Sequence, residues 1–159
     1  MRNLKNSLLA EKEIESVLKI AQKVISKLDF YTEEAKKEEL NKFTIETIKQ
    51  SLENKACLFI VAKIKKRIVG FIVGYDYGGV IYGDWIMVLP AYQRRGIAQK
   101  LYYDLEKRSK DRGCHQFWGL IEKNNIESLQ FTQKLGMKIL AEFKNFWYHL
   151  DYYLVIKSI

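Results

Sequence analysis

At Ala56 the apolar residues of this chain change their period, and that change restricts the fold more than any other feature. Before it, Ile14, Val17, Leu18, Ala21, Val24, Ile25 and Leu28 recur at three- and four-residue spacings, which is one stripe along a helix. After Asp29-Phe30-Tyr31, a second helical region is predicted from about Glu33 to Lys55, with Leu40, Phe43, Ile48 and Leu52 inward. Beyond Ala56, β-branched and aromatic runs take over. Residues 58–62 lead through Lys65-Lys66-Arg67 into residues 68–74, a hairpin pattern, and Gly78-Gly79 turns into a third strand at Val80–Val88.

Pro90 ends that strand, because it cannot donate to a sheet ladder. A helix follows from near Gly96, with Ile97, Leu101 and Leu105 on one row and Gly113 as its C-terminal cap. Residues 116–121 read as a buried strand. Asn124 with Glu127 three residues on resembles a capping box, opening a helix that ends at Gly136. Residues 138–143 and 147–155 close the chain as two aromatic-rich strands. The expectation is one mixed α/β layer with an antiparallel front half: six or seven strands flanked by about four helices. With 159 residues and no linker, repeat or low-complexity tract, residues 1–159 are expected to form a single domain.

No apolar run approaches the roughly 18 residues of a membrane span. Met1-Arg2-Asn3-Leu4-Lys5 continues into a charged helical pattern without the apolar core of a signal peptide, so a cytoplasmic location is expected. Cys57 and Cys114 are far apart, and His115 and His149 are isolated, so neither a metal site nor a redox pair is signalled. Both cysteines read as buried or half-buried small residues. The net charge of +8 would suit nucleic acid, an acidic membrane or a polyphosphate ligand. Its lysines and arginines are dispersed, however, with one cluster (Lys63, Lys65, Lys66, Arg67) at the hairpin. A solvated surface is therefore preferred to a nucleic-acid site.

The chemistry-bearing segment runs from Trp85 through Pro90 and Gln93-Arg94-Arg95-Gly96-Ile97-Ala98, from strand to helix with only a short loop between. Helix N-termini present unpaired N–H groups and partial positive charge to phosphate oxygens. Gly96 allows close backbone approach, and Arg94 and Arg95 add full charges. Taken alone, such a loop is more often an ordinary connection with its arginines in water.

These residues resemble the pyrophosphate-binding signature of the GCN5-related N-acetyltransferases, Q/R-x-x-G-x-G/A, with Gln93, Gly96 and Ala98 at its defined positions. Residues 125–137 are similar to the family's N-x-x-A-x-x-F-Y-x-x-x-G-F stretch, beginning at Asn125, with Ser128 at the alanine position and ending Gly136-Met137. Two motifs about 30 residues apart on their expected elements carry more weight than either alone. The resemblance implies a sheet splayed between the strand at Val80–Val88 and the one at 116–121. The pantetheine arm of acetyl-CoA would lie in that split against backbone groups of Ile86, Met87 and Val88, and its pyrophosphate on Gln93, Arg94, Arg95, Gly96, Ile97 and Ala98. Asn125, Ser128 and Thr132 complete the implied cofactor contacts.

The implied reaction is direct attack of a primary amine on the thioester in a ternary complex, with a backbone N–H near Met87 or Val88 steadying the oxyanion. The family's thiolate-protonating tyrosine is replaced by Thr132, a far weaker acid whose hydroxyl can still hydrogen-bond sulfur. The family's glutamate on the central strand is replaced by Tyr82. Asp84, two residues on and on the same face by strand alternation, is the first candidate base, and Glu122 is the second. A solvated carboxylate is the competing reading for each. Aromatic residues at the mouth of the split, with Phe30-Tyr31, are candidates for an acceptor pocket. No metal is implied. The acceptor is a small-molecule or protein amine, the state monomer or homodimer, and no membrane partner is expected. Two other functions compete: a CoA-binding regulatory or structural domain with weak catalysis, which Thr132 favours, and, least, a basic nucleic-acid module.

Overall fold

The structure, a computed structural model, describes residues 4–159. One seven-stranded sheet runs through it in the order β1-β2-β3-β4-β5-β7-β6. Its strands are β1 (Leu4–Leu8), β2 (Cys57–Ile64), β3 (Arg67–Asp76), β4 (Val80–Val88), β5 (Gln116–Glu122), β6 (Lys138–Trp147) and β7 (Leu150–Ser158). The helices are α1 (Ile14–Ile25), α2 (Glu33–Asn41), α3 (Ile45–Glu53), α4 (Ile97–Asp111) and α5 (Ile126–Lys134). Only β4 and β5 run parallel, and every other neighbouring pair is antiparallel. Among the described residues, no helix is long and apolar enough to cross a membrane.

Each face of the sheet carries its own core. On one, Ile97, Leu101 and Leu105 of α4 pack on Ile60, Val69, Ile72, Ile81 and Phe117. On the other, Val17, Ala21 and Ile25 of α1 and Ile48 of α3 pack on Phe59, Val61, Phe71 and Met87. The helical stripe seen in the sequence is therefore the face of α1 that meets the sheet. Each such side chain, fully buried, contributes about 1.5–3 kcal/mol.

Four expectations need correction. Met1, Arg2 and Asn3 lie outside the described residues, but Leu4–Leu8 is a strand, paired Leu4↔Ile64 to Leu8↔Ile60, where a helical pattern was expected. Pairing with the β2 edge overrides the local charge pattern. The second helical region is two helices, giving five in all: Thr44 and Thr47 cap each other's N–H groups at 3.1 and 3.0 Å and restart the chain as α3. The final strand begins at Leu150, because Tyr148 and His149 adopt positive φ and form the β6–β7 turn. The N-cap of α5 is Asn125, whose Oδ1 accepts from Ser128 N–H at 3.1 Å, not Asn124; Glu127 turns away to Arg94.

The feature that positions the site is the parting of β4 from β5. They pair only at Val80↔Gln116, Ile81↔Phe117 and Tyr82↔Trp118. At the next position the Phe117 ring lies across Gly83, where a Cβ would come within 2.5 Å of it. There β4 also bulges: Gly83 faces Gly74 and Trp85 faces Val73, leaving Asp84 unpaired between them. An extra residue in one strand bends and twists it, here away from β5.

Candidate active site

A cleft of about 360 Å³ follows this parting from one face of the sheet to the other. Leu89 N–H bonds the Val69 carbonyl at 2.9 Å, so by antiparallel alternation Met87 turns its backbone groups to β3, while Ile86 and Val88 turn theirs to the cleft. The Val88 carbonyl accepts from Gln93 Nε2 at 3.0 Å, which ties the loop to the strand end. Of the three residues named for backbone pairing, all of which line the cleft, Ile86 and Val88 turn their backbone groups to the split and Met87 turns its own to β3.

Past Gln93, the residue of this loop that lines the cleft, Gly96 is the N-cap of α4 at φ +74°, with no side chain capping the helix. A Cβ there would meet nothing within 4 Å, so glycine is favoured at this position by its backbone angle and not by space. Arg94 ion-pairs with Glu127 at the start of α5, and both are exposed. Arg95 lies over the Tyr92 ring at 5.5 Å, and Arg67 of the hairpin flanks the same ring at 5.7 Å.

Gln93, Asn125, Ser128 and Thr132 all line the cleft. Asn125 spends its Oδ1 on the α5 cap. Thr132 Oγ1 donates within its own helix, 3.0 Å from the carbonyls of both Ser128 and Leu129. Its proton is engaged, and lone pairs alone remain for a ligand.

At the inner end the walls are aromatic and acidic. Burial pushes the Asp84 carboxyl up to about 6, against the pull of Lys42, and Glu39 pushes the same way as burial. Tyr82 shares this side of β4, and its ring packs on Trp118 at 4.6 Å. Glu39, buried in α2, accepts from Trp85 Nε1 at 3.0 Å and pairs with Lys42 at 2.8 Å. Lys42 Nζ in turn lies 5.1 Å from the Trp147 ring. The hydroxyls of Tyr31 and Tyr152 meet at 3.3 Å, with Trp147 beside Tyr31.

Glu122 is 2% exposed and accepts from Asn124 N–H at 2.7 Å and Asn124 Nδ2 at 3.0 Å. Burial raises its carboxyl, and the Asn124 bonds oppose that. With two donors on it, Glu122 is held as a strand-end acceptor. Asp84 also lines the cleft, and there Lys42 and a hydrogen bond from Tyr82 act on its carboxyl against burial.

Tyr31, Tyr82, Trp85, Phe146, Trp147 and Tyr152 line the cleft, whereas Tyr77 is exposed and Tyr148 and Tyr153 lie off it. Glu39 and Lys42 were not anticipated. The available signal was the four-residue spacing of Ala35 and Glu39, both buried, which sets a carboxylate on the inward row of an otherwise charged helix.

Residues 23–137 match the family model described as the acetyltransferase (GNAT) family. An acetyltransferase of Sodalis glossinidius is 34% identical over 90 residues, which are 55% of this chain and 62% of that protein. One of Photorhabdus laumondii is 33% identical over the same shares. The match thus spans less than two thirds of these relatives' own length. Among solved structures, the PaiA N-acetyltransferase of Thermoplasma acidophilum in complex with coenzyme A superposes with a TM-score of 0.83 at 18% identity, over 99% of each chain. Ard1 of Thermoplasma volcanium gives 0.79 at 21%, over 98% of this chain and 97% of that one. At these identities the likeness is one of fold.

Proposed function

This chain belongs to the acetyltransferase (GNAT) family, and from that premise we propose that it transfers an acetyl group from acetyl-CoA to a primary amine by direct attack in a ternary complex. The observation that carries the reading is one cleft along the β4–β5 parting, lined by Gln93, three residues before the uncapped N-terminus of α4, and by the buried Asp84 carboxylate. Coenzyme A seen with the PaiA structure supports the choice of cofactor.

The pyrophosphate sits before the first turn of α4, where N–H groups and helix dipole meet its charge and Arg95 adds a full one. Arg94 reaches it by exchanging Glu127 for phosphate. The pantetheine amides complete the sheet along β4 through Ile86 and Val88. That arrangement delivers the thioester to the level of Asp84, and Ile86 N–H, the cleft-facing donor nearer Asp84, is the candidate oxyanion donor.

The acceptor enters between Tyr31, Trp147 and Tyr152. The chain as a whole is basic, yet Glu39, Asp84 and Glu122 outnumber Lys42 here, so this end suits an ammonium that arrives charged. Asp84 removes the proton that makes the nitrogen nucleophilic. A carboxylate near 6 is ionised at neutral pH and more basic than an ordinary aspartate, as the role needs. Thr132 supplies no proton; the thiolate, of pKa near 8.5, departs readily and takes up the second proton, which the nitrogen releases as the amide forms.

The engaged Thr132 hydroxyl also favours a second reading, a CoA-binding domain of little catalytic power. Titration with acetyl-CoA followed by thiol release against an amine panel separates the two. Saturable binding with amine-dependent thiol release is expected. Binding without turnover on any amine would establish the second reading, and no binding would remove both.

A further inference from the structure

A second cavity lies behind Asp84. It holds about 400 Å³ between α3 and the sheet, walled by Thr47 and Ser51 of α3, Tyr75 of β3, and Lys42, Asp84 and Trp85. The last three also line the main cleft, so Asp84 stands in the partition between two spaces. The bulge in β4 produces this placement, since it brings Asp84 and the adjoining Trp85 to the same side of the strand. The exposed Gln50 and Asn54 stand at the second cavity's mouth.

The cavity's inner wall is equipped for water. Ser51 Oγ donates to the Thr47 carbonyl at 2.9 Å and lies 3.1 Å from the Tyr75 hydroxyl. With its one proton committed, Ser51 accepts from Tyr75, whose oxygen keeps a lone pair for a solvent donor. A cavity of this size with several polar partners meets the conditions for ordered water.

The proton count of the proposed reaction gives the partition a use. An acceptor ammonium carries three N–H bonds. The amide keeps one hydrogen, the departing thiolate takes up one proton, and one must leave for solvent in each turnover. With acetyl-CoA in the β4–β5 split and the acceptor between Tyr31 and Tyr152, the main cleft is filled from both sides. We infer that the cavity behind Asp84 is the outlet for that proton, with Asp84 passing it to water held beside Ser51 and Tyr75. This rests on Asp84 being the base. The carboxylic O–H bond breaks, a water oxygen takes the proton, and the carboxylate is restored for the next cycle, with no other reactant consumed. Ser51 and Tyr75 are positioning residues here and touch neither substrate.

Asp84 is faced by Glu39 and Lys42 from α2 and the residue after it, by Tyr82 from its own strand, and by Tyr75 and Cys57 from β3 and β2. A pH profile of the outlet must be read against all of them. The test is Ser51→Leu, which projects an apolar side chain into the cavity, with kcat measured at saturating substrates in H2O and D2O. A fall in kcat of about five- to tenfold is expected, with a larger solvent isotope effect and both KM values unchanged. Tyr75→Phe is expected to act in the same direction by about twofold, and it serves if leucine disturbs the packing of α3. Unchanged kcat and isotope effect in the folded variants, beside an inactive Asp84→Asn, would overturn the outlet and leave the base in place. An Asp84→Asn enzyme with undiminished kcat would remove the base and the outlet together.

Discussion

The two ends of the cleft are made in different ways. The end assigned to acetyl-CoA is built from backbone: a strand that parts from its neighbour, a helix left uncapped, and a glycine at positive φ. The acceptor end is built from side chains that converge from elements far apart in sequence, with Tyr31 before α2, Glu39 and Lys42 at its end, Asp84 on β4, and Trp147 and Tyr152 across the β6–β7 turn. A backbone site demands particular residues only where conformation requires them, and so it can be shared across relatives of low identity. A side-chain site can be rewritten without disturbing the fold. Variants at the two ends are therefore expected to fail differently.

The largest effect is expected at the acceptor end. Asp84→Asn should lower kcat by about 10²–10³-fold while leaving the acetyl-CoA KM unchanged, as steady-state kinetics would read. The same variant should be more stable, and the sign follows from the direction of the shift. Burial pushes the folded carboxyl up to about 6 from the ordinary aspartate value of 3.8, so its ionised form is disfavoured by folding. That cost is absent below about pH 4, grows between the two values and is complete above about 6, where it is on the order of 2–3 kcal/mol. Thermal melts should show Asp84→Asn gaining several degrees at pH 7.5 and nothing at pH 4.

At the other end, Gly96→Val forces a β-branched residue to φ +74°. About 2–3 kcal/mol of strain should appear as a roughly 30- to 100-fold weaker acetyl-CoA affinity in calorimetry, with the acid limb of the pH profile unmoved. A smaller effect links the halves to their charges. Lys42 holds the Asp84 carboxyl down, so Lys42→Met should move the acid limb of kcat to higher pH, costing roughly threefold in rate at pH 6.5. Movement to lower pH would mean that Asp84 is not the group titrating. The smallest is Thr132→Val, expected to change kcat by less than about twofold, because the hydroxyl proton already serves the Ser128 and Leu129 carbonyls.

The same contrast explains what could be read from the sequence. The 3.6- and 2-residue periods located α1, α4 and all strands from β2 onward, because those elements bury one face against the sheet. Residues 93–98 and 125–137 declared the cofactor end, since phosphate and close backbone approach restrict residue type within one short segment. β1 was hidden because Leu4–Leu8 owes its strand form to the β2 edge and not to local preference. The Asp84 bulge, the Glu39–Lys42–Trp85 cluster and the turning-away of Met87 were hidden because each depends on register or on distant partners. Two of the residues that charge the acceptor end, Glu39 in α2 and Lys42 just after it, lie where the composition reads only as a solvated helix.

A crystal structure of the protein soaked with coenzyme A decides whether the cofactor lies in the β4–β5 parting with its sulfur end turned to Asp84. Pyrophosphate is expected before the first turn of α4 at Gly96, with pantetheine amides bonded to Ile86 and Val88 and the thiol on the Asp84 side of the cleft. Coenzyme A bound with its pantetheine outside the parting, or its thiol directed away from Asp84, would contradict this placement.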